Sequence, residues 1–234
     1  MNPYVICCRT VLALVLSTGL AHGQIPSETV ETVVKNHDDS VLFLSGTVRY
    51  LCGECTREHQ FRVMSTAVVA DARGLMVAGA TGPLADPDAE LREVTLQVRM
   101  ADGAEVPVRI ALTDEDLGVM ILMPEKAEDA KQHSFRPLPL DAPARARLLD
   151  PLLVLRRHDQ AAGYALSTAC VRVHALETSP RRVYFSAGLG SGQALFPCFD
   201  ATGRLVALAV GDQSAVSADE LADLVSQAQS PAAK

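Results

Sequence analysis

The chain has 234 residues, of which 48% are hydrophobic, and a formal net charge of −7 at pH 7. A chain of this size can bury the core of one two-lobed domain but is too short for two large domains. Its acidity, and the lack of a basic stripe or an aromatic platform, argue against nucleic acid as a partner.

The first 23 residues have the pattern of a secretory leader. Arg9 precedes an apolar run over residues 11–20, and residues 21–23 include the small side chains that flank a cleavage site before Gln24. The apolar run is about half the length that spans a bilayer, so the pattern predicts a signal peptide and not a membrane anchor. We therefore expect an exported protein, periplasmic or secreted, whose mature chain begins after Gly23 and has no membrane span.

The next segment predicts one short helix and then a barrel of strands. Val30, Val33 and Val34 share one face of an amphipathic stretch. The chain then turns to short runs rich in β-branched residues, separated by turn signals such as Asp102-Gly103. These runs cover residues 41–44, 61–70, 75–78, 94–98, 106–112 and 117–122. Six such strands fit one small barrel, which we place at about residues 40–123.

A connector separates this series from a second one. Residues 124–150 are rich in proline, alanine, lysine and aspartate, and their prolines oppose regular strand pairing. The second series covers residues 152–155, 165–173, 182–186, 195–199 and 205–210. We therefore predict a second barrel over residues 151–212, within an all-β double-barrel domain that extends over residues 24–216. Ser217 to Glu220 form a capping-box pattern, which predicts a C-terminal helix and tail over residues 217–234.

Four cysteines remain after the leader: Cys52, Cys55, Cys170 and Cys198. An even number of cysteines in an exported chain predicts disulfides, and the sequence leaves all three pairings open. Cys52, Cys55 and the nearby His59 also have the spacing of a zinc knuckle, but a second Cys-x-x-Cys motif is missing. A redox-active pair would need the motif at a helix N-terminus, which the flanking strand-like residues do not favour. We therefore expect structural disulfides and no metal or other cofactor.

The segment from Gly192 to Gly203 carries the most informative motif. It begins Gly-Gln-Ala-Leu-Phe-Pro and is followed, after a short turn, by the apolar run 205–210. This resembles the nucleophile loop of trypsin-like serine peptidases of the HtrA-like bacterial branch, which reads Gly-Asn-Ser-Gly-Gly-Pro. Ala194 stands where that family has its reactive serine, and a methyl group cannot attack a carbonyl carbon. The resemblance implies an all-β fold of two six-stranded antiparallel β-barrels.

The resemblance also aligns the two other catalytic positions. Thr81 takes the position of the general-base histidine, and Asp116 opens an Asp-Leu stretch that corresponds to the orienting aspartate. Threonine cannot accept a proton near neutral pH. The oxyanion-hole positions correspond to Gly192 and Ala194, where the donors are backbone N–H groups. We therefore expect no functional catalytic triad.

A shifted register is the main alternative that would keep catalysis. In that register Gly190-Ser191-Gly192 forms the nucleophile turn, with Ser191 as the nucleophile. The base would then have to be a displaced histidine, and no histidine lies at a position that the resemblance makes catalytic. The candidates are His37, His59, His133, His158 and His174.

Together these features predict an exported, catalytically inactive homologue of trypsin-like serine peptidases. Loss of the base and the nucleophile removes the chemistry but leaves the substrate cleft. We therefore expect the chain to bind a protein or peptide, or to act as a structural module. The alternative is an active serine endopeptidase that uses Ser191 and a displaced histidine, and a third hypothesis is zinc binding by Cys52, Cys55 and His59.

Overall fold

The chain folds into two β-rich lobes that pack against each other through a shared hydrophobic core. The computed structural model describes residues 25–52, 57–189, 195–211 and 213–229. The leader predicted over residues 1–23 therefore lies outside the described residues. Within the described ranges, no helix is both long and apolar enough to span a bilayer.

Six antiparallel strands form the first lobe. Their bounds are β1 Val41–Leu51, β2 Glu58–Val69, β3 Met76–Gly79, β4 Glu90–Arg99, β5 Glu105–Asp114 and β6 Val119–Pro124. They pair in the order β1-β2-β3-β6-β5-β4, and β4 also pairs with β1, so the sheet closes into a barrel. The six strands and the barrel confirm the prediction for this lobe. Closure gives every strand two neighbours, which removes exposed sheet edges.

The interior of the barrel is filled by aliphatic side chains that alternate along the strands. On β1, Leu42, Leu44 and Val48 are almost fully buried, as the two-residue period of a strand requires when one face points inwards. Gly46 lies on the same face because a Cβ at this position would be 2.1 Å from the carbonyl oxygen of Thr95 on β4. A larger residue there would push β1 and β4 apart.

Seven shorter strands form the second lobe. Their bounds are β7 Pro151–Arg157, β8 Leu166–Arg172, β9 Ala175–Glu177, β10 Val183–Phe185, β11 Leu195–Phe199, β12 Leu205–Val210 and β13 Ser214–Ser217. They form one curled sheet in the order β8-β7-β11-β12-β13-β10-β9. The all-β double-barrel prediction is confirmed, with seven strands in this lobe instead of six. The sequence pattern does not reveal β9 and β13 because these short strands, unlike the equally short β3 and β10, contain no run of three apolar residues.

Three helices lie outside the sheets in the described ranges. Their bounds are α1 Ser27–His37, α2 Ala127–Gln132 and α3 Ala218–Gln229. The sequence predicts α1 and α3, whereas α2 lies within the predicted connector. The capping box expected at the start of α3 does not form. Ser217 is the last residue of β13, and the Glu220 carboxylate accepts a hydrogen bond from the N–H of Arg182 at 3.3 Å.

The region where the two lobes meet is here called the seam, and a shared hydrophobic core joins the lobes there. Val77 and Ile121 from the barrel meet Leu153, Leu195 and Phe199 from the second lobe in one cluster of buried side chains. The two longer helices, α1 and α3, add buried side chains to the same cluster. Burial of this continuous apolar surface holds the two lobes together.

Arg157, at the end of β7, adds polar contacts across the seam. Only 11% of its side chain is exposed, and its guanidinium lies 2.7 Å from the Asp38 carboxylate. It also donates hydrogen bonds to the carbonyl oxygens of Val41 at 2.8 Å and Tyr164 at 3.0 Å. Because its donors are satisfied by fixed acceptors, Arg157 positions the end of β7 against the start of β1.

Candidate functional site

Thr81 lies just beyond the end of β3, where a short 3-10 turn over Gly82–Leu84 begins. Its backbone is extended, and its carbonyl oxygen accepts a hydrogen bond from the N–H of Leu84 at 3.1 Å. The Oγ1 atom is buried and has no hydrogen-bond partner among the described residues. A hydroxyl can donate or accept a hydrogen bond, but it cannot take up a proton at neutral pH as an imidazole does.

The turn between β5 and β6 holds two aspartates in different environments. Asp116, the predicted match to the orienting aspartate, is exposed in this turn. Asp114 has only 14% of its side chain exposed and accepts a hydrogen bond from the N–H of Leu117 at 2.8 Å. Its carboxylate also lies 3.8 Å from the guanidinium of Arg181 in the second lobe. Asp114 is therefore the aspartate of this turn that contacts both lobes.

Sequence reasoning missed Asp114, although a local signal for it exists. An aspartate followed three residues later by a bonded N–H is typical of the first position of a turn. The Asp-Leu stretch at Asp116 drew the match two residues further along the chain. Arg181 carries no comparable signal because its contact with Asp114 joins parts of the chain that are distant in sequence.

Thr81 and Asp116 come to the same part of the seam. The N–H of Ala80 donates to the carbonyl oxygen of Gly118 at 2.9 Å, so the segments that carry the two residues run side by side. A Cβ on Gly118 would lie 3.8 Å from Cγ1 of Val210. Val210 pairs with the first residue of β11. Thr81 and Asp116 therefore approach the point where β11 begins.

The nucleophile and oxyanion-hole predictions concern the residues immediately before β11. Ser191, Gly192 and Ala194 all lie outside the described residues. Their assigned equivalences therefore stay predictions.

The disulfide prediction is wrong for Cys170 and Cys198, whose thiols are both free. Cys170 on β8 pairs with Leu153, and Cys198 on β11 pairs with Val154, so the two cysteines lie on strands at opposite sides of β7. Two strand spacings, about 9.5 Å, exceed the Cα separation that a disulfide can bridge. Neighbouring positions on β7 face opposite sides of the sheet, and Cys170 is accordingly exposed whereas Cys198 is buried.

Cys198 is part of the core of the second lobe. It is fully buried, and its Sγ lies 3.7 Å from the carbonyl oxygen of Phe196. Burial raises the pKa of the Cys198 thiol to about 12. The group therefore stays a neutral thiol at physiological pH and behaves as a small apolar side chain.

The Cys52-x-x-Cys55 motif is only partly described. Cys52 follows β1 and is half-buried, and the ring of His59 lies 5.6 Å from that of Tyr50. Cys55 lies outside the described residues, so the Cys52–Cys55 disulfide and the zinc hypothesis stay predictions. Within the described ranges, no group of three or more histidine, cysteine, aspartate or glutamate side chains could hold a metal ion.

His37, one of the candidate displaced bases, packs against the second lobe. Its ring stacks on that of Phe199, with the two centroids 4.9 Å apart and an interplanar angle of 21°. Burial, and then the charge of Arg136, lower the pKa of His37. This contact fixes the end of α1 on the seam and gives His37 a packing role.

His158 meets a serine hydroxyl, which is the first requirement of a serine nucleophile. Its Nε2 lies 2.7 Å from the Oγ of Ser167. The two residues belong to one hairpin, since His158 follows β7 and Ser167 lies on β8. An active acyl-transfer site would also need backbone donors beside the hydroxyl to bind the oxyanion.

The backbone around Ser167 does not provide such donors. The N–H of His158 donates to the carbonyl oxygen of Ala165, and Ser167 pairs with Arg156 two residues further along the ladder. Hydrogen-bonded pairs alternate in an antiparallel ladder, so the N–H of Ser167 points to Arg156. With its own amide engaged in the sheet, Ser167 lacks the exposed turn on which a nucleophile is presented. The contact is therefore a side-chain bond within the hairpin.

No protein-family model matches the sequence, and the curated proteins include no significant match to it. The functional assignment therefore depends on the residues and on their geometry.

Proposed function

We propose that this chain is an exported, catalytically inactive homologue of trypsin-like serine peptidases that binds an extended peptide or protein segment at the seam. One observation carries the proposal. The side chain of Thr81, which takes the position of the general base in the resemblance, presents a buried hydroxyl near the start of β11. A double-barrel fold is thus combined with a group that cannot accept a proton.

The chemical argument follows from what acyl transfer requires. A serine hydroxyl attacks a carbonyl carbon only when a neighbouring base takes its proton, and an imidazole supplies that base in this class of enzyme. Thr81 cannot replace it. Backbone donors and substrate binding alone leave rates about 10³–10⁴-fold above water, far below those of a working peptidase. Peptide binding needs neither base nor nucleophile, so it survives these substitutions.

The seam is a suitable surface for an extended segment. The groove formed by β1, β2, β7 and the start of β11 has a volume of about 230 Å³. It is lined by apolar and polar side chains together, among them Phe43, Met64 and Thr66. A second groove of about 550 Å³ shares Phe43 and Met64 with the first. The two grooves together provide length for several peptide residues and both kinds of contact that peptides use.

Peptide selection on the exported chain tests the binding proposal. A random peptide library displayed on phage is panned on the immobilised protein, and the enriched peptides are measured by fluorescence polarisation. We expect Met64→Arg to weaken their binding by about tenfold or more, because Met64 lines both grooves and a long charged side chain would occupy them. The matched control is Thr95→Arg, since Thr95 is exposed on the outside of the barrel. Equal binding to both variants would contradict a binding surface at the seam.

Active proteolysis through Ser191 and a displaced histidine is the competing proposal. The histidine that it would use is His158, which lines the smaller groove together with Phe196 of β11, although the hydroxyl that His158 contacts is that of Ser167. Covalent labelling by a fluorophosphonate separates the two proposals, because only an activated serine reacts. Ser191→Ala and Ser167→Ala would identify the reactive residue.

The export proposal has its own test. The full-length gene is expressed in a bacterial host, and the N-terminus of the protein in the extracellular and periplasmic fractions is sequenced. A mature protein that begins at Gln24 supports cleavage after Gly23. A protein that retains Met1 and stays in the cytoplasm contradicts it.

A further inference from the structure

Arg156 lies near the end of β7, where the second lobe meets the seam. On β7 it shares one side of the strand with Leu152 and Val154, which belong to the core of that lobe. The guanidinium carbon of Arg156 lies 4.5 Å from the centroid of the Phe196 ring. Phe196 is the second residue of β11 and belongs to the same core cluster. Arg156 therefore lies between the core of the second lobe and the seam.

The guanidinium of Arg156 has unused hydrogen-bond donors. In the described part of the chain its one recorded partner is the face of Phe196, and it forms no hydrogen bond or ion pair. Arg157, the next residue, is engaged by Asp38, Val41 and Tyr164. An arginine offers five N–H donors in a planar fork, and the stack on an aromatic ring fixes the plane of that fork. Arg156 is thus oriented and still able to bind an acceptor.

Further hydrogen-bonding groups surround Arg156 in the smaller groove. His158 lines the groove and, two residues further along the chain, follows the same side of β7. Ser65 and Thr66 line it from the opposite lobe. Asp159 is the acidic side chain among the described lining residues, and its Oδ1 accepts a hydrogen bond from the N–H of Ala161 at 3.0 Å. Residues 190–194, which precede β11, contain no acidic residue.

The geometry points to a carboxylate-binding subsite in this groove, formed by the Arg156 guanidinium with His158 as a second donor. The carboxylate belongs to an acidic side chain or to the C-terminus of a bound peptide, so the inference rests on the proposed peptide binding. A carboxylate matches the fork of one guanidinium with two parallel hydrogen bonds. A phosphate carries more charge and is usually bound by several arginines, whereas among the described lining residues only Arg156 is uncommitted. His158 can donate from Nδ1 when the Ser167 hydroxyl donates to its Nε2.

A direct titration tests the subsite without any selected peptide. The protein is labelled with ¹⁵N, and the backbone amide signals of the described groove residues, together with the Arg156 Nε–Hε signal in the original chain, are followed while N-acetyl-glutamate α-amide is added. The neutral N-acetyl-glutamine α-amide and inorganic phosphate serve as matched probes. We expect a saturable shift with the glutamate probe and binding about tenfold tighter than that of the glutamine probe, because charge-assisted hydrogen bonds are lost in the latter.

Three variants complete the design. Arg156→Gln should abolish the difference between the glutamate and glutamine probes, and Arg156→Lys, which keeps the charge but loses the fork, should restore only part of it. Arg92→Gln removes one charge at an exposed position on β4, near the end of the barrel opposite Phe43, and should leave the difference unchanged. If Arg156→Gln does not fold, Arg156→Lys still tests the inference, because it should reduce the difference between the glutamate and glutamine probes. A preference that persists in both Arg156 variants would overturn the inference.

The remaining outcomes separate this inference from the proposed function. Selected peptides that depend on Met64 but lack acidic residues and bind Arg156→Gln normally would overturn the subsite and leave peptide binding intact. A saturable shift with the glutamate probe, in a protein that selects no peptides, would support the subsite and contradict the proposed function. Absence of any shift with the glutamate probe would overturn the subsite. A shift that phosphate produces at lower concentration than the glutamate probe would overturn the assignment to a carboxylate.

Discussion

The two lobes differ in how their β-sheets enclose the hydrophobic core. In the first lobe, β1 pairs with both β2 and β4, so the sheet closes around a cluster of apolar side chains, most of them aliphatic. In the second lobe the sheet curls, with β8 and β9 at its two ends, and an arginine, a histidine and a serine lie where β7 and β8 reach the seam. Closure leaves the first lobe without exposed sheet edges, whereas the second lobe leaves polar groups beside the groove in which we propose that a peptide binds.

The largest expected effect contrasts the outside of the second lobe with its interior. At pH 8, a maleimide should label Cys170 at least about 10³-fold faster than Cys198, because a thiol with a pKa near 12 is only about 10⁻⁴ ionised and is also shielded from reagent. Labelling sites are assigned by peptide mass spectrometry before and after denaturation. Cys170→Ala should remove the fast reaction. Fast native labelling of Cys198 would show that the core of the second lobe is open.

The second prediction compares cavities in the two lobes. Leu122 and Leu152 are both fully buried, one inside the closed barrel and one inside the second lobe. Leu122→Ala should lower the free energy of unfolding by about 3–5 kcal/mol, and Leu152→Ala by about 2–3 kcal/mol, because an open sheet relaxes more readily around a cavity. Urea denaturation followed by circular dichroism measures both. The exposed Leu148→Ala, at 57% exposure, is the control and should change stability little. A larger loss of unfolding free energy for Leu152→Ala than for Leu122→Ala would contradict the expected difference between the open and the closed sheet.

The smallest expected effect concerns the seam and pH. Burial and Arg136 lower the pKa of His37 in the folded state, so the unfolded chain takes up a proton first as the pH falls below about 6.5. Stability should therefore decrease as the pH falls through the window below that value, by no more than about 1 kcal/mol because the ring is partly solvated. His37→Gln should remove this part of the slope in urea denaturation at pH 7.5 and 5.5.

The exposed His174 provides the control for that measurement. His174→Gln should leave the slope between pH 7.5 and 5.5 as it is in the original chain. If His37→Gln leaves the slope unchanged as well, the burial of His37 against Phe199 is not what disfavours its protonation.

The barrel was predictable from the sequence because its strands are apolar, β-branched runs bounded by turn signals. The Asp71 turn is one such signal, and its carboxylate accepts hydrogen bonds from the N–H groups of Arg73 and Leu75 at 2.9 Å. The same logic fails for β9 and β13, which are short and contain no run of three apolar residues, whereas the equally short β3 and β10 each contain one. It fails also for the capping box, because Glu220 finds its partner in Arg182 and not in its own helix.

The candidate site was predictable only in part, because its contacts join distant segments. A motif placed Thr81 beyond β3, and the strand register then brings it beside the Asp116 turn. Counting cysteines could not show that β7 separates Cys170 from Cys198, since this depends on strand order. Nor could the sequence indicate that Arg157 is engaged by Asp38 whereas the guanidinium of Arg156 contacts only the ring of Phe196 in the described part of the chain, because these partners come from other elements.

The measurement that tests the central claim most directly is the intact mass of the exported protein after incubation with a fluorophosphonate, with trypsin as a positive control in the same buffer. We predict no change in mass, since Thr81 offers no base and Ser167 has its amide engaged in the sheet. A stoichiometric adduct that disappears in Ser191→Ala or in Ser167→Ala would contradict the account and identify an active serine hydrolase.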